Sequence, residues 1–205
     1  MLPPEFNFKN KNANFDLLVN LDITSLYNFS DCVYMVKIQE ELNHIQDYYY
    51  IQKRRFGERF EMQVEVEEEE IYEYYIPKLT LQPLVENAVK HGLRPKGGAG
   101  TIEIDVVRTE STLEITVMDD GVGISPENLK ELRVQLLGKE VEAETDSGQH
   151  VGIGLKNVMD LIRMKYGMDY GIVIDSYEGM GTIVKMRLPL LEEEENEDVE
   201  SVTGR

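Results

Sequence analysis

Apolar and polar residues alternate with a period of two in several segments of the chain. The segments are Phe60–Val66, Thr101–Val107, Leu113–Asp119, Gly171–Tyr177 and Thr182–Pro189. A period of two places the apolar side chains on one face of a strand. Strands that alternate in this way bury one face and expose the other, as in antiparallel or mixed sheets. The pattern therefore predicts a sheet with one buried face.

Other segments show the spacing of three and four residues that is typical of amphipathic helices. In Leu81–Gly92 the apolar residues that share one helical face are Leu81, Leu84, Val85 and Ala88. Thr80 is placed to cap this helix, and Pro83 lies in its first turn, where a missing N–H does little harm. Gly154–Gly167 predicts a second helix, and we expect a third within Ser125–Leu137.

A heptad-like apolar seam precedes the first strand. Its members are Met35, Ile38, Leu42, Ile45, Tyr49, Gln52 and Phe56. The seam predicts a helix with two alternative uses, a coiled-coil dimer interface or a stripe packed on its own domain. Its short length slightly favours packing on its own domain.

These elements predict an α/β two-layer sandwich: a mixed, mostly antiparallel sheet with helices on one face, preceded by an N-terminal helix. We expect an irregular or remnant segment at 1–33 and a linker or dimerisation-type helix at 34–58. The main domain is expected at 59–190, followed by a disordered acidic tail at 191–205.

The net charge of the 205 residues is −18, which argues against a nucleic-acid partner, since such proteins need a basic surface. Much of the negative charge is concentrated in Glu65–Glu70 and in the tail. Basic residues cluster at the end of the first main-domain helix and just after it, at Lys90, His91, Arg94 and Lys96. This basic cluster could therefore bind an anionic ligand in spite of the negative net charge of the chain.

The chain shows no run of about 18 apolar residues and no signal-peptide pattern at its N-terminus. Cys32 is its only cysteine, so an internal disulfide is excluded. We expect a cytoplasmic protein, with membrane attachment only through segments that this chain does not contain.

Two glycine-bearing turns and one polar helical face carry the candidate chemistry. The polar face of the first main-domain helix holds Glu86, Asn87, Lys90 and His91. The turn Asp119–Ile124 follows a strand and lets backbone approach a ligand beside a carboxylate. The loop Gly148–Val158 runs into a helix, whose N–H groups and positive dipole end favour an anion.

The order of these motifs along the chain is more specific than each motif alone. E-N-A-V-K-H on a helix is followed by D-D-G-V-G-I after a strand, G-I-G-L at a helix start and G-T in a late hairpin. This order resembles the nucleotide-binding boxes of the Bergerat-type (GHKL, HATPase) fold of histidine kinases, type II topoisomerases, Hsp90 and mismatch-repair ATPases. The residues from Tyr34 to Leu190 are similar to bacterial sensor histidine kinases of the LytS/YesM-like class.

The resemblance implies that Asn87 supplies a carbonyl oxygen to the Mg²⁺ that bridges the phosphates of ATP. An amide provides the oxygen ligand that a hard cation prefers without adding negative charge beside phosphate. Lys90 would contact a phosphate oxygen, with help from His91. The backbone N–H groups that the resemblance assigns to the phosphates lie in the second glycine motif: Gly152, Ile153, Gly154 and Leu155.

The base would be held at the other glycine turn. By resemblance, Asp119 accepts the adenine amino proton, while Gly121 and Gly123 keep the base pocket open and Ile124 adds to it. Thr182 matches the threonine of the adenine–water network. The segment Ser125–His150 would form a lid that becomes ordered only with nucleotide.

Glu86 is a further candidate for catalysis. Some ATPases of this fold have a carboxylate base one helical turn before the asparagine, but Pro83 occupies that position here. Glu86 directly precedes Asn87 and has three alternative roles: it polarises the attack, binds a metal-linked water or is a simple exposed glutamate.

A histidine kinase also needs an acceptor histidine. His91 and His150 belong to the predicted nucleotide site, and His44 is interpreted as a helix-surface residue. The segment Pro3–Asn10 resembles the acceptor motif of the class, with Glu5 where the histidine should be.

We therefore predict the ATP-binding catalytic part of a two-component sensor histidine kinase. It would transfer the γ-phosphoryl of Mg·ATP to a histidine that is absent from this chain. A degenerate, non-catalytic nucleotide-binding or dimerisation module is the alternative. The resemblance also implies a response regulator as partner and a homodimer formed through upstream helices.

Overall fold

The computed structural model describes residues 33–138 and 152–192. Several predictions lie outside these residues: most of the N-terminal segment with Cys32 and the acceptor-like Pro3–Asn10, the predicted lid residues 139–150, and the acidic tail from 193 onward.

The predicted strands form one five-stranded sheet. Its strands are β2 (Phe60–Val66), β4 (Gly100–Arg108), β5 (Thr112–Asp119), β6 (Gly171–Tyr177) and β7 (Gly181–Pro189). The spatial order is β2-β4-β5-β7-β6, with β2 and β4 parallel and the other neighbours antiparallel. A small antiparallel pair joins β1 (Met35–Lys37) to β3 (Tyr75–Pro77). The sheet is mixed and mostly antiparallel, as predicted.

The helices cover the apolar face of this sheet. They are α1 (Ile38–Phe56), α2 (Gln82–Asn87) with a π-helix (Ala88–Leu93), α3 (Pro126–Leu136) and α4 (Ile153–Tyr166), with 3₁₀ turns at Gly57–Arg59 and Glu69–Glu73. Alternate residues of the strands, such as Ile102, Ile104 and Val106, are fully buried in one core with helix residues such as Leu84 and Ile162. This arrangement confirms the two-layer α/β sandwich.

Helix α1 packs on its own domain through the heptad-like seam. Ile38, Leu42 and Ile45 are buried in the common core. Tyr49 contacts the ring of Phe60 with 5.3 Å between centroids. Of the two predicted uses of the seam, the structure therefore shows the intramolecular one.

The helix predicted at Leu81–Gly92 is α-helical over only its first half. Pro83 lies in the first turn as predicted, but the winding changes to a π-helix after Asn87. Thr80 does not cap the helix, because its hydroxyl donates to the carbonyl oxygen of Pro77 at 2.7 Å. The N–H of Leu81 instead donates to the carboxylate of Glu41 at 3.2 Å.

The first part of the predicted lid contains the packed helix α3. Ser125 caps α3 by accepting from the N–H of Asn128, and Leu129, Leu132 and Leu136 are buried. Burial of this apolar face stabilises the helix. The helix predicted within Ser125–Leu137 is therefore confirmed, while ordering of the lid by nucleotide stays a prediction.

Candidate functional site

Asn87 is the last residue of α2 and is half-buried. Its side-chain Nδ2 donates to the carbonyl oxygen of Pro83 at 2.7 Å. This bond within the helix fixes the orientation of the amide and leaves Oδ1 as its acceptor atom. The arrangement presents a neutral oxygen at the end of a short helix.

The start of α4 lies next to Asn87. A Cβ built on Gly154 would be 3.6 Å from Asn87 Nδ2 and 3.7 Å from Pro83 Cβ. The first bond of the helix runs from Lys156 N to the oxygen of Gly152 at 2.8 Å. The N–H groups of the preceding residues, Ile153, Gly154 and Leu155, stand ahead of this bonded ladder, where a helix offers N–H donors to anions. Gly152 has a φ of +103°, which glycine adopts easily, and the side chain of Leu155 is buried in the core.

The other polar residues of the first motif have different environments. Lys90 is exposed, and His91 is half-buried. Burial and, to a lesser degree, the charge of Lys90 lower the pKa of His91, which favours the neutral imidazole. Glu86 accepts from Gln82 Nε2 at 2.6 Å, which holds its carboxylate along the helix.

A second group of residues meets at the end of β5. A Cβ on Gly92 would lie 2.3 Å from Asp119 Oδ1, and one on Gly121 would lie 2.4 Å from the backbone of Gly92. The N–H of Gly121 donates to Asp119 Oδ1 at 2.8 Å, and Val122 N donates to the oxygen of Gly92 at 3.1 Å. The π-helix thus ends in direct contact with the turn after β5, and only glycine fits at either contact position.

Thr182 lies directly opposite Asp119 in the sheet, and Ser176 lies opposite Thr182. Ser176 Oγ donates to the oxygen of Gly181 at 2.8 Å and is 3.0 Å from Thr182 Oγ1. A serine hydroxyl has one proton, so in this network Thr182 is the donor to Ser176. Thr182 Oγ1 then keeps its lone pairs for a donor on the ligand side.

The turn after β5 is also fixed by the last hairpin. The N–H of Ile124 donates to Ser176 Oγ at 2.9 Å. Gly123 has a φ of +67°, and a Cβ on it would lie 2.0 Å from the carbonyl oxygen of Tyr177. Gly123 is therefore required for close packing of this turn against the hairpin.

The carboxyl group of Asp119 is strongly affected by its surroundings. Burial raises its pKa to about 6, although hydrogen bonds from the N–H groups of Gly121 and Thr182 act in the opposite direction. A half-buried carboxylate with unused acceptor capacity is suited to a ligand that donates hydrogen bonds.

Comparison with known proteins agrees with this geometry. The family model of the histidine kinase-, DNA gyrase B- and HSP90-like ATPases matches residues 76–192, which contain both groups of site residues. The chain belongs to this ATPase family.

Its curated relatives narrow the position within the ATPase family. Sensor histidine kinase YesM of Bacillus subtilis (strain 168) is 34% identical over 155 residues, which are 76% of this chain and 24% of YesM. Sensor histidine kinase YpdA of Escherichia coli (strain K12) is 36% identical over 132 residues, which are 64% of this chain and 21% of YpdA. The chain thus spans about a quarter or less of these two relatives. Its resemblance to the ATP-binding catalytic part of LytS/YesM-like kinases is confirmed.

Solved structures show the same fold. The histidine kinase AdeS of Acinetobacter baumannii superimposes with a TM-score of 0.59 at 13% identity, over 93% of this chain and 87% of that one. At this identity the likeness concerns the fold alone.

Two findings concern only the described part of this ATPase-family chain. No helix there is long and apolar enough to cross a membrane. No group of three or more His, Cys, Asp or Glu side chains is placed there to hold a metal ion.

Sequence reasoning missed three residues of this ATPase site. Gly92 reads as a helix-ending glycine, although its missing side chain is what admits Asp119 and Gly121. Ser176 sits in an ordinary alternating strand, and only the pairing of β6 with β7 places it beside Thr182. Glu41 lies next to the apolar seam without belonging to it, and its burial becomes visible only in the structure.

Proposed function

We propose that the chain binds Mg·ATP and directs its γ-phosphoryl group to a histidine outside the described residues. One observation carries this proposal: the helical segment from Gln82 to Leu93 contacts both groups of site residues. Asn87 in this segment lies beside Gly154, and Gly92 lies against Asp119. One ligand with a base at one end and phosphates at the other fits this arrangement.

The adenine base is assigned to the group around Asp119. The ionised carboxylate of Asp119 and the lone pairs of Thr182 are both acceptors, so they suit the amino group of adenine and an accompanying water. The glycines that pack around Asp119 leave no room for a side chain there. A guanine carbonyl in the same position would leave these acceptors without a donor, which disfavours it.

The phosphates and the metal ion are assigned to the group around Asn87. The neutral oxygen of Asn87 suits Mg²⁺, with phosphate oxygens and water as the other ligands. The N–H groups at the start of α4 and the ammonium group of Lys90 suit phosphate oxygens. When bound, Mg²⁺ neutralises charge on the phosphates, and the chain's own part is to orient them.

Glu86 has a weaker claim to a catalytic role. Its carboxylate accepts a hydrogen bond from Gln82. We therefore propose that Glu86 orients either the helix or a metal-bound water. His44 lies exposed on α1 and is not proposed as the phosphoryl acceptor. By analogy with the kinase relatives, we propose a response regulator as downstream partner, a homodimer formed through upstream helices, and membrane attachment outside the described residues.

The proposal is tested by calorimetric titration of the whole chain with ATP, with and without Mg²⁺. We expect saturable binding that is tighter with Mg²⁺ and tighter for ATP than for GTP. Transfer is tested with γ-labelled ATP and a separately supplied acceptor domain of a YesM-like kinase. Label on the supplied histidine supports the kinase function. Binding without transfer to a competent acceptor would contradict the catalytic part of the proposal, and absence of binding would contradict all of it.

A further inference from the structure

Glu41 is a buried acid on the linker helix α1. Only 1% of its surface is exposed, and it lies between seam residues that pack into the core. A carboxylate in such a place needs hydrogen bonds to offset the loss of water. Its partners are therefore informative about its role.

Both carboxylate oxygens of Glu41 bind backbone that is far away in sequence. The N–H of Leu79 donates to Oε1 at 2.9 Å, and the N–H of Leu81 donates to Oε2 at 3.2 Å. These N–H groups lie in the turn that leads into α2, at Leu79 and at Leu81, the residue directly before the helix. Glu41 thus fixes the backbone that enters α2.

The backbone that Glu41 binds has an unusual conformation. Leu79 is the one non-glycine residue with positive φ among the described residues, at +61°. A leucine in the left-handed region is strained and persists only where the surroundings fix it. The bond from Leu79 N to Glu41 supplies that constraint, together with the bond from Thr80 to Pro77.

The bound turn leads directly to the proposed metal ligand. Helix α2 has only six residues, from Gln82 to Asn87, and its residues Pro83, Leu84 and Val85 are buried. A short helix fixed in the core transmits a displacement of its first turn to its last residue. Pro83 also accepts the hydrogen bond that orients the Asn87 amide.

We propose that Glu41 is a positioning residue that ties α1 to the start of α2, so that the placement of the Asn87 oxygen depends on α1. This inference rests on the proposed function, because it concerns how the Mg·ATP site is held. It assigns a role to the linker helix within the nucleotide site, whereas the base end is held by the sheet.

Glu41→Gln is the appropriate test variant because it keeps the shape of the side chain. One amide oxygen can accept from one N–H, but the amide NH₂ would then face the other N–H. Burial raises the pKa of Glu41, against the hydrogen bond from Leu79, which shows that its charge is disfavoured by the site. Removing the charge is therefore compatible with folding. The neighbouring, exposed Glu40 gives a matched control, Glu40→Gln.

Binding of Mg·ATP and of adenosine without Mg²⁺ is measured by calorimetry for the parent and both variants. For Glu41→Gln we expect about fivefold weaker Mg·ATP binding and less than twofold change for adenosine, as one hydrogen bond to a charged group is lost. In the ligand-free protein, hydrogen exchange at the amides of Leu79 and Leu81 should accelerate. Glu40→Gln should leave all three measurements unchanged.

Equal Mg·ATP binding by Glu41→Gln and the parent would overturn the positioning role while leaving the proposed function intact. An equal loss for adenosine and Mg·ATP would also overturn it, since that pattern indicates general damage. If the parent binds neither ligand, the proposed function itself fails. Should Glu41→Gln not fold, the same comparison is made between Leu79→Gly and Leu79→Gly/Glu41→Gln, because glycine removes the strain at residue 79.

Discussion

The two ends of the proposed nucleotide site are held in different ways. At the base end, Asp119, Thr182 and Ser176 form one row across three neighbouring strands, and their spacing is set by the ladder of the sheet. At the phosphate end, Asn87 and Gly154 lie on separate helices, and Asn87 depends on a turn bound by Glu41. The base end is therefore rigid, while the phosphate end can respond to movement of a helix.

This difference separates two tasks of a nucleotide site. Recognition of a base needs fixed donors and acceptors, which strands provide through backbone hydrogen bonds. A kinase must be able to change how the phosphates are oriented. Helix ends that are held by only a few side-chain hydrogen bonds allow such a change. Changes at the base end should therefore weaken both adenosine and Mg·ATP binding, whereas changes at the phosphate end should weaken only Mg·ATP binding.

The largest effect is expected when a side chain is added at the base end. In Gly92→Ala the new Cβ would lie 2.3 Å from Asp119 Oδ1, so the carboxylate would have to leave its hydrogen bond with Gly121 N. Overpacking of about 2 kcal/mol corresponds to a roughly 30-fold loss of adenosine affinity, with a lower melting temperature. Gly154→Ala makes only ordinary contacts and should fold at least as well as the parent, since alanine favours helices. Titration and thermal melts compare the two, and normal adenosine binding by Gly92→Ala would be inconsistent with the assigned base end.

Asp119→Asn removes the charge from the base end while keeping its size. The adenine amino group loses a charged acceptor, so the affinities for adenosine and for Mg·ATP should both fall about 20-fold. Because burial disfavours the charge, the variant should unfold no more easily than the parent at pH 7. Unchanged affinity in titration would show that the base binds elsewhere.

The pKa of Asp119 predicts a pH dependence at the same end. With a pKa of about 6, the carboxylate is mostly ionised at pH 7 and mostly protonated at pH 5. Adenosine binding should therefore weaken about tenfold between these pH values, with no such change in Asp119→Asn. The folded pKa lies above the ordinary 3.8, so this group's contribution to the free energy of unfolding falls as the pH rises from about 4 to about 6. Denaturant titrations of parent and variant across this range measure that fall, which the variant should lack.

Asn87→Asp changes only the phosphate end. Aspartate cannot donate to Pro83, and it adds negative charge beside the phosphates. We expect Mg·ATP affinity to fall about tenfold, with adenosine affinity unchanged within a factor of two. If the variant binds Mg·ATP with the affinity of the parent, Asn87 is not part of the metal site.

The smallest effect concerns the orientation of one hydroxyl group. Ser176→Ala frees the proton of Thr182 to turn toward the base, and we expect a roughly threefold loss of ATP affinity and weaker discrimination against GTP. In a Thr182→Val background the same substitution should have a smaller effect, because the shared contact is already absent. A double-mutant cycle by calorimetry measures this coupling, and simple additivity would count against the inferred direction of the hydrogen bond. Ser111→Ala, in the turn between β4 and β5, serves as control.

Much of the fold follows from local patterns. The alternation in Phe60–Val66 and Leu113–Asp119 gave the strands, because burial of one face is written into a period of two. The motif order placed Asn87, Asp119 and Thr182 correctly along their elements. The helix expected within Ser125–Leu137 is present as Pro126–Leu136. The pattern did not show that the helix after Asn87 changes to π winding.

By itself, the sequence determined the element types, the buried faces and the residues able to carry the chemistry, since these depend on side chains close together in the chain. Tertiary structure alone decided that Gly92 rather than a larger residue lies against Asp119, that Ser176 orients Thr182, and that Glu41 holds the start of α2. These contacts join residues 27, 6 and 38–40 positions apart on different elements. Their formation depends on how strands and helices pack, which a local pattern does not specify.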